Sequence, residues 1–125
     1  MVEIIRTENA PKPIGPYSQA VKAGKFLFVS GQVAIDPKEG KIIAKTVREQ
    51  TARAIENIRA ILQAAGYELN DVIQSTVYLA SMDLFSEFNI EYAKYFSKDF
   101  PARATAGVKL MSNALVEISV VAYRE

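Results

Sequence analysis

Residues 46–80 read TVREQTARAIENIRAILQAAGYELNDVIQSTVYLA, and this stretch decides the fold class. Thr46-Val47-Arg48-Glu49 has the S/T-x-x-E form of a capping box, in which two side chains satisfy the orphan amides of a helix start. Thr51, Ala54, Ile55, Ile58, Ile61, Leu62 and Ala65 then recur at helical spacing. Gly66 stands where a left-handed C-terminal cap is expected. After a short polar turn, Val72 to Ala80 is β-branched and aromatic, as strands are. A helix that feeds directly into a strand implies a sheet with helices laid on it.

Working outward, the downstream chain predicts a second helix. Asp83 can cap it, and Leu84, Phe85, Phe88, Tyr92, Tyr95 and Phe96 form its apolar side. Pro101 closes that helical stretch. Ala102 to Lys109 and Leu115 to Tyr123 read as two strands around a turn at Ser112-Asn113. Upstream, Thr7 to Tyr17 holds Pro11, Pro13, Pro16 and Gly15, so it is an ordered loop or extended arm. Gln19 to Lys22, a turn at Gly24-Lys25, and Phe26 to Ser30 predict a hairpin. Gln32 to Asp36 is expected to stay extended, and Pro37 to Gly40 to turn the chain.

The element order is strands, helix, strand, helix, strands. Strand–helix–strand connections favour parallel neighbours, while an early and a late hairpin add antiparallel pairs. The expected fold is therefore α+β: a mixed sheet with two helices packed on one face, in a single domain over residues 1–125. Leu115 to Tyr123 is almost continuously apolar, which implies burial on both sides. Two helices cover only one face, so self-association is expected to cover the other.

Composition narrows the chemistry. The 125 residues carry 15 Lys and Arg against 14 Asp and Glu, with no His and no Cys. Such a balance does not suit phosphate-driven nucleic-acid binding. Without His or Cys there is no Ser-His-Asp or Cys-His catalysis and no ordinary zinc site. No acidic run has calcium-loop spacing, and no metal is expected. No apolar run reaches the roughly 20 residues of a membrane span. The N-terminus lacks signal-peptide form, so a cytoplasmic, membrane-free protein is expected.

Chemistry then falls to Arg, Lys, Glu, Asp, Tyr, Ser, Thr, backbone groups and water. Arg103 starts a strand just after Pro101-Ala102. It is either an ion-paired surface arginine or a planar fork for a carboxylate. Glu117 interrupts an apolar strand, and is either an outward, solvated acid or a general acid/base working through water. Tyr17, set by the Gly15-Pro16 turn, packs or donates its phenol into a pocket. Ser30 and Gly31 end an apolar strand. Gly31 permits a bulge or the close approach of a ligand, and Ser30 has no histidine to activate it. Asn89, in a helix full of aromatics, faces solvent or bonds a neighbouring strand or subunit.

Asn9-Ala10-Pro11, Gly15-Pro16-Tyr17-Ser18-Gln19-Ala20, Ser30-Gly31-Gln32, Ala64-Ala65-Gly66, Thr76-Val77-Tyr78-Leu79, Phe100-Pro101-Ala102-Arg103 and Val116-Glu117-Ile118 occur in this order. Over about Asn9 to Tyr123 this pattern resembles the RidA/YjgF family of reactive-intermediate (enamine/imine) deaminases. The resemblance implies a chorismate-mutase-like α+β fold and a homotrimer with active sites between subunits. It implies cofactor-free hydrolysis of 2-iminobutanoate and 2-iminopropanoate to 2-oxo acids and ammonia. Those imines come from PLP-dependent dehydratases, the implied functional link.

Carried over residue by residue, the resemblance makes Arg103 the substrate-binding arginine and Glu117 the acid that handles water. Tyr17, Ser30 and Asn89 become pocket positions, Gly31 shares the Ser30 turn, and Thr105 lies near the bound ligand. Gly107 stands where the family often has glutamate, Ser119 where a second acid often follows, and Lys109 to Asn113 lacks the usual Leu-Pro turn. These departures bear on substrate range. Two other classes remain open at this point: a trimeric module that binds a small carboxylate without turnover, and an RNA-cleaving or RNA-binding stress protein.

Overall fold

A computed structural model describes residues 2–96 and 99–125. Six strands form one sheet: β1 (Val2–Ile5), β2 (Ala20–Ala23), β3 (Phe26–Gln32), β4 (Val72–Leu79), β5 (Ala102–Gly107) and β6 (Val116–Tyr123). Their spatial order is β1-β2-β3-β6-β4-β5. Helices α1 (Val47–Ala64) and α2 (Phe85–Tyr92) lie on one face. The α+β class, with a mixed sheet and one helical layer, is as expected.

Local signals act where the sequence puts them. Thr46 accepts the amide of Glu49, and the Glu49 carboxylate returns to the Thr46 amide, so the capping box is complete. Gly66 takes φ +83°, a conformation that side chains disfavour. The β2–β3 hairpin turns at Gly24, also at positive φ. At the second helix the cap differs. Ser81, not Asp83, accepts an amide, and it opens a short 3-10 turn over Met82–Leu84 that leads into α2.

The C-terminal topology corrects the expected late hairpin. β5 and β6 do not pair with each other. β5 runs parallel to β4 at the sheet edge, and β6 inserts antiparallel between β3 and β4. The apolar run in β6 explains this. Val116, Ile118, Val120 and Ala122 are buried under the helices, and an edge position would leave that strand half-paired. The extended stretch after Gln32 also shortens to one isolated bridge, Ile35 to Ile42.

The core holds Leu27, Ile55, Ile58, Ile61, Leu62, Val77, Phe88, Val116 and Ile118 between sheet and helices. The opposite face is open. Phe26 and Phe28 are 40% and 48% exposed there, and Phe26 stacks on Tyr123 with centroids 5.0 Å apart.

Gln50, on the buried stripe of α1, ties this frame to the loops. Its Nε2 donates to Ala44 O and Asn113 O, at 3.0 and 2.9 Å, and its Oε1 accepts the Leu115 amide at 2.8 Å. Gln50→Ala removes these bonds and leaves a cavity, so a loss of about 2–4 kcal/mol is expected in urea unfolding at fixed protein concentration. A change below about 0.5 kcal/mol, the ordinary range for surface substitutions, would show that Gln50 is not the tie.

Candidate functional site

The residues named from sequence fall into two groups, and the sheet separates them. Side chains alternate between faces along a strand. Arg103 registers with Ser75 on β4, and Ser75 with Val120 on β6, all on the helix side. Glu117 registers with Tyr78 on the opposite, open side. Two strand spacings of roughly 4.8 Å also separate β5 from β6.

The first group surrounds Glu117. Gln19 is buried and anchors the arm before it. Its Oε1 accepts the Thr7 amide at 2.8 Å, and its Nε2 donates to Thr7 O and Pro11 O at 3.0 and 2.9 Å. This holds the Gly15-Pro16-Tyr17 turn against the sheet. The Tyr17 amide donates to Gly15 O at 2.8 Å, and its phenol oxygen accepts the Ile14 amide at 3.3 Å. Ser30 donates its hydroxyl to Ser18 O at 2.6 Å, so that hydroxyl is a brace.

At Gly31 the β3–β6 register shifts, as a bulge would make it. A Cβ on Gly31 would lie 2.9 Å from Glu117 Cδ and 3.2 Å from its Cγ. Glycine at this position leaves the space that the Glu117 side chain occupies, and any larger residue must displace that side chain. Tyr17, Gly31 and Glu117 line one cavity of about 70 Å³ with Lys12, Gln19 and Met111.

The second group surrounds Arg103. Its Nη2 donates to Asn89 Oδ1 at 2.9 Å. The guanidinium carbon lies 4.9 Å from the Tyr92 ring centroid, 5.3 Å from Phe88 and 5.7 Å from Phe85. Spacings of three and four residues on α2 stack these rings on one side, and a guanidinium over aromatic faces is electrostatically favoured. Among the described residues Arg103 has no carboxylate partner, whereas Arg59 has one and Arg48 and Arg124 have two each. Within one copy, then, Arg103 is not ion-paired, and Asn89 of α2 bonds it on the neighbouring strand. Arg103, Asn89, Tyr92 and Phe100 line a cavity of about 360 Å³. Thr105 follows Arg103 on the helix-facing side of β5 but does not line that cavity.

Burial pushes the Tyr92 phenol pKa above its usual value, and hydrogen bonding to Ser75 and the Arg103 charge only partly offset this. The phenol is neutral near pH 7. Among the described residues no cluster of acidic side chains is arranged to hold a metal ion. No helix there is long and apolar enough to cross a membrane.

Sequence reasoning missed Tyr92, Lys12, Gln19 and Met111 as site neighbours. Tyr92 carried a usable signal, a phenol on the apolar side of α2 between Phe88 and Phe96.

A family model described as Endoribonuclease L-PSP matches residues 7–124. A RutC family protein of Pyrococcus horikoshii is 56% identical, covering 100% of both chains. The chain belongs to the YjgF/RidA family. Another relative in this family, the chloroplastic Reactive Intermediate Deaminase A of Arabidopsis thaliana, is 40% identical over 96% of this chain and 65% of its own. Among solved structures, E. coli TdcF with bound serine superposes with a TM-score of 0.93 at 35% identity, covering 98% of this chain and 99% of that one. The YjgF/RidA family thus includes proteins named as deaminases of reactive intermediates.

Gly31→Ala tests the packing around Glu117. The variant should fold, with the Glu117 side chain swung out of its cavity in a crystal structure. An unmoved carboxylate beside the new methyl would contradict the close contact.

Proposed function

We propose that this protein is a hydrolase that deaminates reactive 2-imino acids, 2-iminobutanoate and 2-iminopropanoate among them, at sites formed between copies of the chain. The observation that carries the reading is the Arg103 guanidinium. It is braced by Asn89 and three rings, lines a cavity and has no anionic partner among the described residues. Such a fork suits a carboxylate. The relative named as a deaminase and the amino acid bound to TdcF support a small carboxylate ligand.

An imine carbon is already electrophilic, so catalysis needs orientation and proton transfer more than a strong nucleophile. Arg103 grips the carboxylate. A water bonded to Glu117 adds its oxygen to the imine carbon, and its proton passes to the carboxylate. Glu117 returns that proton to nitrogen, and the C–N bond breaks. The hydroxyl proton passes to the departing ammonia as the carbonyl forms. An iminium acid and one water give a 2-oxo acid and ammonium, with no cofactor consumed.

Within one copy, Arg103 and Glu117 lie on opposite faces of the sheet, too far apart for one small substrate. A second copy brings them together at a subunit seam. The exposed apolar side chains of the open face, Phe26 and Phe28, support such self-association, and a homotrimer is the assembly we propose. In the seam, Tyr17, Gly31 and the Ser30 turn border the water side. Asn89 and Thr105 border the carboxylate side. In this reading the protein works in the cytoplasm, downstream of PLP-dependent dehydratases that release such imines.

In a coupled dehydratase assay, Arg103→Ala should lower kcat/KM by about 10²–10⁴, the loss of a bidentate charged pair. Arg103→Lys should restore little, since ammonium lacks the fork. Full activity in Arg103→Ala would refute the clamp. A pure binding module would not accelerate oxo-acid release at substoichiometric amounts.

A further inference from the structure

Ser75 breaks the pattern of its strand. The other helix-facing residues of β4, Val72, Val77 and Leu79, are apolar and buried, and Ser75 itself is only 1% exposed. A hydroxyl in such a place is unfavourable unless it is paired. Its partner is the Tyr92 phenol, with the two oxygens 2.6 Å apart. Ser75 also registers directly with Arg103 on the neighbouring strand. Tyr92 is the nearest of the three rings to the guanidinium and lines the same cavity.

The three rings and Asn89 do not by themselves fix the guanidinium. Attraction to an aromatic face changes little as the guanidinium turns in its own plane, and Asn89 holds only Nη2. An arginine side chain carries about 2 kcal/mol of rotamer entropy, and a clamp that is not already ordered loses affinity by having to order on binding. A phenol can rock about its own bonds unless its hydroxyl is tied. Here it is tied from below by Ser75. Its ring packs between Phe88 and Phe96, with centroids 5.2 and 4.8 Å away.

We propose that Ser75 and Tyr92 are positioning residues for Arg103. The Ser75–Tyr92 hydrogen bond fixes the tilt of the Tyr92 ring, and the ring face then sets the plane of the guanidinium stacked over it before a carboxylate arrives. Because the phenol is neutral, the arrangement persists across the pH range in which an imine hydrolase works. This inference rests on the reading of Arg103 as a carboxylate clamp.

The test measures binding of 2-oxobutanoate by calorimetry together with KM and kcat in the coupled assay. The variants are Ser75→Ala, Tyr92→Phe and the double variant. Tyr92→Phe keeps the ring and its face toward Arg103, removes only the hydroxyl, and so stays informative even if Ser75→Ala folds poorly. Each single variant should raise Kd and KM about three- to tenfold, with kcat changed less than about twofold. The double variant should be no weaker than the worse single one, since one link is broken in all three. A lower melting temperature with Kd and KM unchanged would overturn the proposal and leave Ser75 a purely structural residue. Failure of the unsubstituted protein to bind 2-oxobutanoate or turn over imine would overturn the clamp reading itself, a result distinct from a variant that binds as well as its parent.

Discussion

Side chains of a strand leave the sheet alternately on its two sides, and in this chain that rule puts the arginine and the glutamate on opposite sides. Arg103 points toward the helices from the edge strand β5, where α2 supplies Asn89, Phe85, Phe88 and Tyr92 to hold it. Glu117 points the other way from the central strand β6, into the space that Gly31 leaves empty. No rotamer change brings them together without stripping Arg103 from its rings. The sheet is therefore both the scaffold of each half and the wall between them.

The same wall gives the open face its meaning in our proposal. Phe26, Phe28 and Tyr123 stand on the side without helices. Covering them with a second copy would remove apolar surface from water and bring one copy's glutamate near another's arginine. One act of burial would both stabilise the assembly and complete the site. A chain without histidine or cysteine is compatible with this chemistry, because the electrophile is supplied by the substrate.

Much of the fold was legible because its signals are local. The Thr46–Glu49 capping box, the left-handed Gly66 and the β2–β3 hairpin each depend on a few adjacent residues. What misled was pairing. Lys109 to Asn113 connects two strand-like stretches, and nearness in sequence suggested a hairpin. The apolar demand of Val116, Ile118, Val120 and Ala122 instead drew β6 between β3 and β4. The short β1 carries little sequence signal, since only Ile5 of its four residues is buried. Site residues were legible one at a time, as an arginine after a rigid turn or an acid in an apolar strand. Their division between two faces was not, because it depends on the bulge at Gly31 and on which strands are neighbours. The buried amide Gln50 was legible only as an interruption of the apolar stripe of α1, with partners at Asn113 and Leu115 far away in sequence.

Subunit mixing tests the composite site most directly. Arg103→Ala and Glu117→Gln proteins, each inactive alone, are unfolded together in equal amounts, refolded, and assayed for imine hydrolysis. If every site takes its arginine from one copy and its glutamate from another, about a quarter of the sites regain both groups, and about that share of the original activity returns. A mixture as inactive as its parents would mean that both residues must come from the same copy, contrary to their placement on opposite faces.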